Sequence, residues 1–262
     1  MSNCDKLRIK KFNLSSVNKD AVVVMIGKRN TGKSFLTKDL LYHMQSIPFG
    51  LVVSGSEQVN HFYTDFTPKI LIMNEYDDDK LTELFKRQKK IIDKYGKNDN
   101  RTRAFVILDD CLHDSSSWGK SKNIKSIFMN GRHYNIFFIL TMQYPMGIGP
   151  ELRTNIDFTF ILRENIVKNR RRIHENYAGM FEKYDDFSKT MDSLTEDYGC
   201  MVIKNNSRSN KITDQIFWYK GAERPDYKLC DEKYWNMSEK PLRQPRNPKL
   251  PKSKHIEVIK KR

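Results

Sequence analysis

Ala21-Val22-Val23-Val24-Met25-Ile26-Gly27-Lys28-Arg29-Asn30-Thr31-Gly32-Lys33-Ser34 is the stretch that decides the fold of this chain. Its first six residues form a short, β-branched, apolar run, the pattern of a strand buried on both faces. Its last eight match G-x-x-x-x-G-K-[ST], a phosphate-binding loop. Ser34-Phe35-Leu36-Thr37-Lys38-Asp39-Leu40-Leu41 follows with helical apolar spacing. Strand, glycine loop and helix in that order aim backbone N–H groups at a bound phosphate. Gly27, Lys28, Arg29, Asn30, Thr31 and Gly32 would form the cradle, Lys33 would reach the β- and γ-phosphates, and the Ser34 hydroxyl would bind Mg²⁺. The bland alternative is a chance glycine turn before a helix, which needs motif and context to be accidental together.

Outward from this segment, strand-like apolar runs alternate with helical stretches. The strand candidates are 22–27, 49–54, 70–73, 104–108, 136–142 and 158–162, and the helix candidates are 33–44, 79–95, 124–132, 166–177 and 180–191. That alternation predicts an α/β fold with a largely parallel central sheet and helices on both faces. Two further β-rich runs, Cys200–Ile203 and Gln215–Tyr219, flank a polar turn and predict a C-terminal β-hairpin extending the sheet. From about Pro241 prolines alternate with lysines and arginines, a basic tail with no packable pattern. The expected organisation is an N-terminal extension over 1–20, an ATPase-type domain over 21–235 and the tail over 236–262.

Phe105-Val106-Ile107-Leu108-Asp109-Asp110 is an apolar strand ending in two carboxylates. A nucleotide-hydrolysing loop needs an acid at such a strand end to hold Mg²⁺, and Asp109 fits. Asp110 stands where a carboxylate polarises the attacking water, although that residue is more often Glu. A solvated Asp-Asp turn is the competing reading. Ile136–Met142 ends in Gln143. If this strand lies between the loop strand and the Asp109 strand, Gln143 faces the γ-phosphate and can orient water; otherwise it is a strand-end amide. A second cation on the γ-phosphate can come from a neighbouring subunit. Arg132 and Arg153 are the leading candidates, with Arg163 behind them; surface or salt-bridge roles are equally open. Lys168-Asn169-Arg170-Arg171-Arg172 reads as either a DNA-facing patch or a solvated basic face.

The chain has 262 residues and a formal net charge of +15, with a pI near 9.5. That balance favours a polyanionic partner. Its four cysteines, Cys4, Cys111, Cys200 and Cys230, are scattered, which points to a reducing compartment and no structural metal. No run approaches the about 18 apolar residues of a membrane helix. Met1–Lys6 has no apolar leader core, so no secretory signal is expected.

With these motifs together, the chain resembles the genome-packaging ATPases of large nucleocytoplasmic DNA viruses, the poxvirus-type group, which is similar to the FtsK/HerA class of DNA pumps. The residues that carry the resemblance are Gly27–Ser34, Leu108-Asp109-Asp110, Gly131-Arg132-His133-Tyr134, Thr141-Met142-Gln143-Tyr144 and the run Pro150–Asp157, within about residues 20–165. The resemblance implies a RecA-like core with additional strands, ATP with Mg²⁺ and a homo-oligomeric ring with an arginine finger acting across a subunit interface. It implies ATP-driven movement of double-stranded DNA into a preformed capsid. Capsid or portal-region viral proteins are the implied partners, and the host cytoplasm at the assembly site, and the virion, the implied locations. A nucleotide switch and a small-molecule kinase are the alternatives, distinguished by a lack of DNA stimulation and by an acceptor pocket with a lid.

Overall fold

The computed structural model of the chain describes residues 7–110 and 121–239. Cys4, Cys111 and the basic tail from Pro241 lie outside the described residues. The strands are β1 (Lys10–Lys11), β2 (Val22–Ile26), β3 (Gly50–Ser54), β4 (Ile72–Met73), β5 (Ala104–Asp109), β6 (Ile136–Met142), β7 (Phe158–Ile161), β8 (Gly199–Lys204) and β9 (Ile216–Lys220). They form one sheet in the order β1-β9-β8-β7-β2-β6-β5-β3-β4. All pairings are parallel except those of β8, which runs against both β7 and β9. The helices are α1 (Lys33–Tyr42), α2 (Glu57–Asn60), α3 (Asp78–Tyr95), α4 (Lys122–Asn130), α5 (Pro150–Arg153), α6 (Val167–Tyr177), α7 (Tyr184–Leu194) and α8 (Glu232–Glu239).

The central strands are buried along their whole length. A strand covered on both faces gains by being apolar at every position, which is why these runs read as continuous apolar stretches. Successive side chains still point to opposite faces. Val22, Val24 and Ile26 join one core with Leu81, Ile124, Ile173 and Phe187 from α3, α4, α6 and α7. Val23 and Met25 join the other core with Leu36, Leu40 and Leu41 of α1. Helices thus cover both faces, as the alternation predicts.

Several boundaries move. The strand expected over 70–73 keeps only two residues because Lys69–Leu71 winds into a 3₁₀ turn after Pro68. The helix expected over 180–191 starts at Tyr184 and ends at Leu194. Within the expected N-terminal extension, Phe12, Leu14 and Val17 are buried and β1 adds to β9. The expected boundary after residue 235 falls inside α8, whose Trp235 Nε1 donates to Leu229 O at 2.8 Å.

Candidate active site

β2, β6 and β5 are parallel neighbours in that order. Ile26 is in register with Met142, and Thr141 with Asp109. The loop after β2, the two acids ending β5 and Gln143 after β6 therefore leave the sheet on one edge. β6 does lie between the other two, the condition under which Gln143 faces a phosphate on the loop. The Gly27 N–H donates to Met142 O at 3.0 Å, which ties the loop's first residue to the Gln143 strand.

Gly32 caps α1 with φ of +97°, a left-handed conformation that favours glycine. A Cβ on Gly27 would stand 2.7 Å from Thr31 Oγ1 and 2.8 Å from Leu162 Cβ, so only glycine lets the loop close over β7's end. Lys33 is buried, and its ammonium donates to Gly27 O at 2.6 Å and Lys28 O at 2.9 Å. Burial pushes this ammonium below its usual range, while Asp110 and Asp109 pull it back up. Lys28 is held from the far side, donating to Asn165 Oδ1 at 2.5 Å and pairing with Glu164 Oε1 at 2.9 Å. Burial alone would raise the Glu164 carboxyl, but the Ile166 amide, Lys28 and Asn169 together hold it below its usual range. Glu164 escapes sequence reasoning because it lies far downstream in the chain and reaches the loop only through the β2–β7 pairing.

Asp109 is buried at the end of β5. Burial pushes its carboxyl up, opposed by the Thr141 and Tyr63 hydroxyls and by Lys33. Thr141 joins the two acids: its hydroxyl donates to Asp109 Oδ1 at 2.5 Å and accepts from the Asp110 N–H at 3.0 Å. Asp110 turns out of the strand with φ of 52°. Gln143 Nε2 donates to Asp110 Oδ2 at 2.5 Å, so acid and amide form one unit. Held by one buried carboxylate and one hydroxyl, Asp109 and Ser34, a divalent ion would have most of its coordination shell left to phosphate oxygens and water. That donor set suits Mg²⁺, which keeps several waters and takes few protein ligands.

A raised Asp109 carries a stability consequence. Its charged form is disfavoured on folding, so stability present below the ordinary carboxylate pKa of 3.8 is lost as pH rises through the higher folded value. Asp109→Asn cannot titrate and keeps the Thr141 bond. It should raise the melting temperature by about 2–4 °C at pH 7.5, and the gain should vanish as pH falls below the carboxylate range. Paired melts across pH check this; a lower melting temperature at pH 7.5 would show that the charge is stabilised by its neighbours.

The arginines are placed differently from the expectation. Arg132 lies in a 3₁₀ turn (Gly131–Tyr134) before β6, at the opposite edge of the sheet, and pairs with buried Asp157. A strand of this length puts about 20 Å between the edges, so Arg132 stands well away from the phosphate loop of its own chain. Arg153 sits on the β6–β7 crossover and is engaged there, donating to Ile148 O and Asn176 Oδ1, each at 2.8 Å. Arg163 is exposed just past β7, on the phosphate edge. The 168–172 basic run is neither a free patch nor a purely solvated face. Arg170 bonds Asp192, Arg171 lies 4.4 Å from the Tyr184 ring centroid, and Arg172 bonds the Tyr144 hydroxyl.

A phosphate loop behind a central parallel strand, an acid two strands away and a glutamine on the strand between define the P-loop NTPase class. The chain belongs to the Poxvirus A32 protein family, matched over residues 9–182. It is 36% identical over 245 residues to protein L437 of Acanthamoeba polyphaga mimivirus, covering 89% of this chain and 86% of that protein. It is also 36% identical over 231 residues to protein 075L of Invertebrate iridescent virus 6, covering 84% and 88%. Among solved structures it is similar to B204, the DNA-packaging ATPase of Sulfolobus turreted icosahedral virus, with TM-score 0.58, 17% identity and coverage of 79% of this chain and 100% of that one. The B204 NTPase of Sulfolobus turreted icosahedral virus 2, in complex with ATP-gammaS, matches with TM-score 0.56 and 18% identity over 78% and 98%. At these identities the structural likeness is one of fold.

Proposed function

We propose that this protein is an ATP-hydrolysing DNA translocase that packages viral double-stranded DNA into a capsid. The observation that carries the reading is the convergence of Lys33, Asp109 and the Asp110–Gln143 pair on one sheet edge in a member of the A32 family. Loop N–H groups and Lys33 bind the triphosphate. Mg²⁺ held by Ser34 and Asp109 would offset the charge on its β- and γ-oxygens. Asp110 takes the proton of the attacking water, and Gln143, bonded to that same carboxylate, orients the water and senses its loss.

Arg132 belongs at the interface between copies in a ring, where it would complete the site of the next subunit. The +15 charge suits a sequence-independent track of phosphates. Exposed Lys86, Lys90 and Lys94 recur every four residues on one face of α3, a stripe that a DNA backbone can follow. Capsid or portal-region proteins are the remaining partners, and the cytoplasmic assembly site the place of action. Among the described residues no helix is long and apolar enough to cross a membrane.

The test is steady-state ATP hydrolysis across protein concentration, with and without long double-stranded DNA. Stimulation by DNA that steepens with protein concentration is expected of a motor completed between subunits. Hydrolysis indifferent to DNA at every concentration would return the site to the switch or kinase reading.

A further inference from the structure

The reversed strand of the sheet brings two chain segments to the phosphate edge. Because β8 runs against β7 and β9, the residue before β8, Tyr198, and the residue after β9, Gly221, both arrive beside the loop. A Cβ on Gly32 would lie 3.6 Å from Tyr198 Cδ1. A Cβ on Gly221 would lie 2.8 Å from Phe35 Cδ1, so that ring rests against bare backbone. Between them opens a cleft of about 390 Å³, lined by Gly32, Phe35, Leu36, Tyr198, Cys200 and Gly221. Its floor is Cys200 of β8, and its charged groups are limited to Lys220 and Glu223, both exposed.

Two features of this cleft do nothing for the fold. Phe35 and Tyr198 leave 45% and 66% of their surface exposed, although burying such rings is a main source of stability. Asp197 and Tyr198 also occupy the left-handed region in succession, with φ of 46° and 60°, where non-glycine residues are strained. Gly199 completes this tight turn, since a Cβ there would stand 2.5 Å from Leu194 O. Strained backbone of this kind clusters at active sites and ligand clamps.

We propose that this cleft is the nucleobase subsite, in which a purine stacks on Tyr198 with Phe35 as the apolar wall. The inference rests on the reading of Gly27–Ser34 as an ATP loop, and it adds what lies beyond the phosphates. A triphosphate seated on the loop has its sugar and base leaving past Gly32, where the cleft begins. Recognition is by the face of the base and not by its edge. All nucleoside triphosphates should therefore bind, purines ahead of pyrimidines because they stack over more area.

The test is equilibrium binding by calorimetry on the full chain, with Mg²⁺ and ATP, GTP, CTP or inorganic tripolyphosphate. Tyr198→Ala should weaken ATP about 10-fold, the scale of one base–aromatic stack, and leave tripolyphosphate affinity unchanged. It should also narrow the ATP-to-CTP ratio. Tyr198→Phe, which keeps the ring, should bind like the parent. The proposal is overturned if Tyr198→Ala leaves ATP affinity and base preference unaltered. It is equally overturned if ATP and tripolyphosphate weaken together, because the ring would then act on the loop. Lys33→Ala separates the two layers of the argument. If that variant binds ATP and tripolyphosphate as the parent does, the fault lies in the phosphate-loop reading and not in the cleft.

Discussion

Lys33→Ala lowers steady-state ATP hydrolysis about 10³-fold, the loss expected when a preorganised charge facing the transition state is removed. The side chain is buried, which disfavours its ammonium form, while Asp110 and Asp109 favour it. Without ligand its charge is spent on the carbonyls of Gly27 and Lys28. Binding a triphosphate exchanges those neutral acceptors for anionic oxygens, so the interaction grows as charge builds on the γ-phosphate. The variant should fold, because deleting a desolvated cation relieves a burial cost. Phosphate release, measured beside a thermal melt, checks both statements. Hydrolysis within a few-fold of the parent, in a folded variant, would refute the assignment of the loop.

Asp157→Ala has the largest expected effect on stability. Asp157 is 2% exposed and pins the start of the loop strand from below. Its Oδ2 accepts from the Val22 N–H at 2.9 Å, and its own N–H donates to Val22 O at 2.9 Å. Oδ1 accepts from Arg132, and from Asn206 Nδ2 at 3.1 Å. Truncation leaves a buried N–H without its acceptor, a loss of about 2–3 kcal/mol. Melting should fall by roughly 4–12 °C. Arg132→Ala is the informative companion. Its guanidinium is largely solvated, and the exposed half of such a pair is worth about 1 kcal/mol or less. A small melting shift with a large loss of DNA-stimulated hydrolysis would mark Arg132 as the residue reaching a neighbour's phosphate. Equal losses of stability and turnover would make it a brace for Asp157 alone. An Asp157→Ala protein that melts like its parent would refute the pin.

The core of this arrangement was legible because it rests on short-range chemistry. The apolar runs of β2, β5 and β6 announce strands covered on both faces, and Gly27 and Gly32 announce a loop that needs room and a left-handed turn. Asp109 and Gln143 were legible as strand ends, and only the strand order was missing. What stayed hidden depends on contacts between distant segments. Nothing local in Glu164 says that it restrains Lys28, and nothing in Thr141 says that it joins two acids across a strand pair. The Arg132–Asp157 pair was visible as two motif residues, but their joint role appears only when the β6–β7 crossover brings them to one edge. Asp197 and Gly199 mark a turn around Tyr198, but nothing local says that this turn lies beside the phosphate loop, since the reversal of β8 brings it there.

The two outer strands of the sheet have only two residues each, Lys10–Lys11 on one side and Ile72–Met73 on the other. Lys10 and Lys11 are both exposed. Short borders, one of them charged, offer little backbone for another chain to zip onto. Copies of this protein crowded together are therefore steered away from fusing their sheets into fibres. Such borders favour contacts through side chains and loops over shared strands. A chain with such borders can accumulate without its sheet edges serving as templates for one another.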